Sequence, residues 1–137
     1  MAQTNLDELP PLSSVHVLVV DDSLEIRMLV ADVLEAGGAT VTVAETAEIA
    51  LDRLERLRPD VLVSDLEMPG GDGYWLIGKV RDLPPERGGA TPAACLTGCS
   101  EPEDRASILR AGFQYHISKP VDIRTLVGVV AILALPS

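Results

Sequence analysis

The chain reads as an α/β protein built on a doubly wound, five-stranded parallel sheet, a (βα)5 unit. Three observations lead there. Five short apolar runs alternate with five segments of helical periodicity. The strands read as buried, as expected of a parallel sheet covered by helices on both faces. A length of 137 residues at 47% hydrophobic content suits one globular domain with a substantial core.

Residues 1–14 are polar, contain Pro10-Pro11, and read as a tail or linker; the folded unit is expected over 15–135. "VHVLVV" (15–20) is the first strand. From Ser23, apolar residues at Ile26, Leu29, Val30, Val33 and Leu34 keep helical spacing until Gly37-Gly38. "TVTVA" (40–44) is the second strand. Thr46 caps a helix with Ala47, Ala50, Leu51 and Leu54 on one face, ended before Pro59.

"DVLVSD" (60–65) is the third strand, and a short helix over Tyr74–Arg81 follows a glycine-rich turn. After a loop over 83–92, "AACLT" (93–97) is the fourth strand. Ser100 to Glu103 has the capping-box pattern and opens a helix to about Arg110. "YHIS" (115–118) is the fifth strand, and Asp122 starts a last helix to about Ala134. That helix has no charged residue after Arg124. Leu126, Val127, Val130 and Ala134 form its core stripe, and Val129, Ile132 and Leu133 extend the apolar surface beyond it.

The net charge of −10 argues against nucleic acid as a direct partner, because phosphate binding needs a basic face. It is compatible with an acidic pocket holding a cation. No apolar stretch is long enough to span a bilayer, no signal peptide is visible, and two cysteines make neither a disulfide framework nor a zinc site. A cytoplasmic setting, without a membrane partner, is the expectation. Cys95 falls inside a buried strand, and His16 and Trp75 read as packing residues.

In a doubly wound sheet, ligands bind at the carboxyl ends of the strands, near the switch in strand order. With order 2-1-3-4-5, the strand ends bring together Asp21-Asp22, Asp65, Thr97 and Lys119. Three carboxylates in one place repel one another. A hard divalent cation resolves this, and Mg²⁺ (or Mn²⁺) suits few protein oxygens and several waters. Metal and Lys119 then leave positive charge facing an exposed carboxylate. Such a site can bind a phosphoryl group and let an Asp oxygen attack it in line.

"VLVVDDS", "DLEMPGGDG", "LTG" and "SKP" resemble the receiver domains of two-component response regulators, from about residue 15 to 134. The resemblance implies a flavodoxin-like fold and a phosphorelay function. It makes Asp65 the phosphoacceptor. It assigns Mg²⁺ to Asp21, Asp22, Asp65 and the backbone carbonyl of Glu67, a switch hydroxyl to Thr97, and phosphate pairing to Lys119 before a cis Pro120. Its donor would be a phosphohistidine on a histidine kinase or a histidine phosphotransfer protein. Activation would be read by a downstream partner or homodimer at the face of the fourth helix, fifth strand and fifth helix. Enzymatic activity would be limited to self-phosphorylation and slow dephosphorylation.

Two positions depart from the family pattern. His116 stands where an aromatic switch residue is usual, and Glu67 places an acid two residues after the acceptor. Cys99 lies in the loop beside the site, a small loop residue or a redox-sensitive tuning position. The fold consumes the length, so no output domain is expected. A receiver cut from a hybrid histidine kinase and an unphosphorylated interaction module are the alternative readings. A phosphatase with an Asp nucleophile would want Asp-x-Asp after the first strand, and a flavin carrier a Ser/Thr/Gly-rich loop there; "DDS" is neither.

Overall fold

In a computed structural model, which describes residues 10–68, 72–98 and 102–136, the chain alternates strand and helix five times. The order is β1 (His16–Val20), α1 (Leu24–Ala36), β2 (Thr40–Ala44), α2 (Ala47–Leu57), β3 (Val61–Asp65), α3 (Gly73–Asp82), β4 (Ala93–Thr97), α4 (Pro102–Ala111), β5 (Tyr115–Ser118) and α5 (Ile123–Leu133). All pairings are parallel, in the order β2-β1-β3-β4-β5. The expected fold class and strand order are therefore the observed ones.

Polar caps decide where the helices begin. Ser23, Thr46 and Asp72 each accept from the backbone N–H three residues on, and Asp122 accepts from Arg124 N. Each helix then lays its apolar stripe on the sheet. One face of the sheet, with Leu18, Val20, Leu62 and Cys95, is covered by α2, α3 and α4. The other, with Val17, Val19, Val63 and Leu96, is covered by α1 and α5. Every residue of β3 and β4 is buried, the polar Ser64, Asp65 and Thr97 included, whereas the edge strands β2 and β5 are partly exposed, so the expectation of strands covered throughout holds only for the centre of the sheet.

Several expectations need correction. Leu12 is fully buried against α1 and donates its N–H to Gly37 O at 2.9 Å, so ordered packing begins within the segment read as a tail. In α5 the stripe also takes in Leu133, and Ala134 packs partly buried against the same core. Leu126, Val127, Val130 and Leu133 follow the i, i+1, i+4, i+7 pattern, and Ala134 is the C-cap. Leu133 therefore does not extend the exposed apolar surface. Val129 packs against the core, and Ile132 is the exposed one of the three at 51%. Leu29 is 46% exposed, since the stripe of α1 runs through Ile26, Val30, Val33 and Leu34 and leaves Leu29 at its edge. The 83–92 loop contains a short 3-10 turn, Pro85–Arg87. The capping box at Ser100–Glu103 lies outside the described side chains.

Candidate functional site

The sheet register sets the site. Val20 pairs with Ser64, Asp65 with Leu96, and Thr97 with Ser118. The residues that follow β1 and β5, and those that end β3 and β4, therefore rise to one level. The β1 end is fixed when Asp21 N donates to Ala44 O at 3.2 Å, the β3 end when Leu66 N donates to Leu96 O at 3.0 Å, and the β5 end when Lys119 N donates to Thr97 O at 2.9 Å.

One ligand oxygen each from Asp21, Asp22 and Asp65 lies within 4.8 Å of the others, so the three could hold a metal ion. Asp21 is fully buried and Asp65 nearly so, while Asp22 is exposed. Asp21 Oδ1 accepts from Ser23 N at 2.8 Å. Its Oδ2 is buried with no hydrogen-bond partner, and faces Lys119 Nζ at 3.7 Å. An orphaned carboxylate oxygen beside two more carboxylates is the donor set that a hard cation satisfies. The site thus fits a divalent ion.

Lys119 Nζ donates to Asp65 Oδ1 at 3.0 Å. Glu67 N approaches the same oxygen at 3.4 Å, and the Glu67 side chain is exposed. Burial holds the Asp21 carboxyl above the usual carboxylate range, reinforced by the charges of Asp65 and Asp22 and opposed by Ser23 N–H and Lys119. Burial alone would lower the Lys119 pKa. The hydrogen bond to Asp65 and the charges of Asp21 and Asp65 reverse this and hold it above the ordinary lysine value.

Thr97 is buried at the end of β4, and His116 is half-buried in β5 opposite Cys95. The Lys119–Pro120 bond is cis. Cys95 is fully buried, and burial pushes its thiol up to about 12. Cys99 lies outside the described residues. Of the other expected site residues, Asp21, Asp22, Asp65, Glu67, Thr97 and Lys119 lie at the carboxyl edge of the sheet, and His116 sits lower, mid-strand.

Sequence reasoning missed two residues here. Arg27 Nη1 donates to Asp21 O at 2.8 Å, tying α1 to the acidic turn. Gly73 opens α3 against the end of β3. A Cβ there would lie 2.6 Å from Asp65 O and 2.9 Å from Leu66 Cα, so only glycine allows the approach. The Gly-Gly-Asp-Gly turn carried that signal, but four consecutive turn residues did not say which one met a wall.

The fold and these strand-end residues define a receiver, and comparison with known proteins agrees. The family model of the response regulator receiver domain matches residues 17–131, and the chain belongs to that family. An uncharacterized 14.6 kDa protein from the sodA1 3' region of Leptolyngbya boryana is 47% identical over 119 residues, 87% of this chain and 89% of that protein. The KDP operon transcriptional regulatory protein KdpE of Escherichia coli K12 is 36% identical over 111 residues; the match takes in 81% of this chain and 47% of KdpE. The solved structure of the chemotaxis protein CheY4 of Vibrio cholerae superposes with a TM-score of 0.80 at 30% identity, covering 87% of this chain and 98% of that one. No described helix is long and apolar enough to cross a membrane.

Proposed function

We propose that Asp65 accepts a phosphoryl group from a phosphohistidine, and that this charge change switches the protein between two output states. The observation that carries the reading is the Lys119 Nζ to Asp65 Oδ1 contact of 3.0 Å inside a three-carboxylate cluster. A carboxylate held at a strand end and paired with one cation can exchange that partner for a phosphoryl oxygen. An Asp65 oxygen attacks phosphorus in line, the P–O bond forms as the P–N bond to the donor imidazole breaks, and the donor nitrogen leaves with the bonding pair. Asp21, Asp22, Asp65 and the Glu67 carbonyl would hold Mg²⁺, whose charge offsets that of the transferring phosphoryl group. Lys119 stays with the phosphoryl oxygens, and the Thr97 hydroxyl turns toward them.

The donor is a histidine kinase or histidine phosphotransfer protein. The output is read on the face of α4, β5 and α5, where Leu109, Tyr115 and Ile132 are exposed by 55%, 39% and 51%. Rearrangement there follows from the new charge at Thr97 and Lys119, with His116 as the residue that reorients.

Intact mass after incubation with acetyl phosphate, with and without Mg²⁺ and beside Asp65→Asn, tests this. A Mg²⁺-dependent gain of one phosphoryl group, lost in the variant, is the expected result. Phosphorylation that survives Asp65→Asn would overturn the assignment.

A further inference from the structure

Far from the acid cluster, at the amino-terminal edge of the sheet, Arg81 makes five hydrogen bonds, every one to a neutral oxygen. Its Nε and Nη2 donate to Gly112 O at 3.1 and 2.8 Å. Its Nη1 donates to Gly89 O at 2.9 Å and Thr91 O at 2.7 Å, and Nη2 also reaches Gln114 Oε1 at 3.3 Å. Gln114 is itself locked to the start of β4, its Oε1 accepting from Ala93 N at 2.8 Å and its N–H donating to Ala93 O at 2.9 Å. The planar guanidinium thus joins the end of α3, the loop before β4 and the turn from α4 to β5 at one point.

The consequence falls on α4. Its carboxyl end is anchored three ways: Ile108 is fully buried, Phe113 just beyond it is 2% exposed, and Gly112 O is held twice by Arg81. Gly112 takes φ +125° and a Cβ there would meet Arg81 Cγ at 2.9 Å, so the turn is shaped around this arginine. Toward the acid cluster, no described side chain of the helix before Ile108 is buried: Asp104, Arg105, Ala106 and Ser107 are half-buried or exposed.

We propose that the Arg81 clamp is a fixed pivot for α4, so that a charge change at Asp65 tilts the amino-terminal half of the helix while residues 108–112 stay in place. This rests on the phosphoacceptor reading of Asp65 and adds where the motion stops. Arg81 touches no reacting atom and acts as a positioning residue. It converts a small displacement beside Thr97 into a rotation of the α4 surface rather than a translation of the whole helix. A helix held only by apolar contacts could slide along the sheet, but the hydrogen-bonded fork opposes sliding while tolerating tilt.

Amide hydrogen exchange on the full chain, with and without Mg²⁺ and beryllofluoride as the phosphoryl mimic, tests the pivot. In the wild type, mimic-induced change should reach about threefold or more over 104–107 and vanish over 108–112. In Arg81→Lys, one ammonium cannot span the same carbonyls, so the change should spread through 108–112. Arg81→Gln is the second variant and should behave alike. A lost clamp that merely lowered stability would raise exchange equally with and without mimic and leave the induced difference confined to 104–107; that result overturns the pivot. A wild-type change uniform along α4 overturns it as well. Absence of any mimic-dependent protection over 64–68 and 117–119 would overturn the reading of Asp65, and the pivot with it.

Discussion

Neutralising Asp21 should stabilise the metal-free protein and abolish most of its stabilisation by Mg²⁺. Repulsion from Asp65, whose ligand oxygen lies within 4.8 Å, costs about 3.5 kcal/mol at an effective dielectric of about 20, and the exposed Asp22 adds a smaller, solvent-screened share. Attraction to Lys119 at 3.7 Å returns about 4.5 kcal/mol on the same scale. These nearly cancel, so the balance falls to desolvation and the orphaned Oδ2, a burden of about 1–3 kcal/mol. Asp21→Asn should therefore gain about 1–2 kcal/mol in EDTA, raising Tm by about 4 °C per kcal/mol for a chain this long. With Mg²⁺ at about a hundredfold over its Kd the wild type should gain about 2.7 kcal/mol, and the variant only a fraction of that.

The pH dependence has a definite sign. Because folding raises the Asp21 pKa, the folded state holds this proton more tightly than the unfolded one. Its contribution is fully present below the unfolded value and is lost as pH rises through the raised folded value. The advantage of Asp21→Asn over the wild type in EDTA should thus shrink as pH falls through that window. Thermal melts across pH and Mg²⁺ concentration read all three effects. A variant less stable than the wild type in EDTA, or one with an undiminished Mg²⁺ shift, would refute the reasoning.

Four further outcomes are expected. Glu67→Ala should shorten the lifetime of the phosphorylated form several-fold, because the exposed carboxylate two residues after Asp65 hinders the attacking water; decay of the phosphorylated mass at an unchanged rate removes Glu67 from that role. His116→Phe should leave labelling at Asp65 intact yet alter how the β5 and Tyr115 amide resonances respond to phosphorylation, and an identical response takes His116 out of the switch. Gly73→Ala should cost about 1–3 kcal/mol in urea unfolding and slow labelling by acetyl phosphate, since its Cβ would strike Asp65 O at 2.6 Å; wild-type values for both would show that α3 shifts freely. Leu12→Ala should cost about 2–5 kcal/mol, and a negligible loss in urea would place residues 10–14 outside the cooperative unit.

The strands and the cluster were legible because they obey rules that one residue's neighbours in sequence can express. Buried strands are largely apolar up to their ends, and a doubly wound sheet sends its ligands to those ends, so Asp21, Asp65, Thr97 and Lys119 could be placed together from the sequence. What stayed hidden depended on contacts distant in sequence. Leu12 looked like part of a polar tail, and its burial is decided by Gly37 of α1, against which its Cδ1 packs. The stripe of α5 was blurred because that helix is apolar on nearly all sides, leaving no polar residue to mark its phase. Arg81 looked like any charged residue at a helix end, and its acceptors lie up to 33 residues away.

The fold contains two contrasting kinds of polar burial, one at each edge of the sheet. Arg81 brings a half-buried charge to the amino-terminal edge of the sheet and meets neutral oxygens placed for it. Asp21 brings a charge into the opposite edge and leaves one oxygen without a hydrogen bond. A sequence selected for stability alone would satisfy or neutralise that oxygen, as Asp21→Asn does. Beside Asp22, Asp65 and Lys119, it is an oxygen that a cation from solution could satisfy. Under the proposed function, the same deficit would contribute binding free energy to an incoming cation and phosphoryl group. Under the pivot proposed above, α4, fixed at its carboxyl end by Arg81, would be the element that carries such a deficit to the output face.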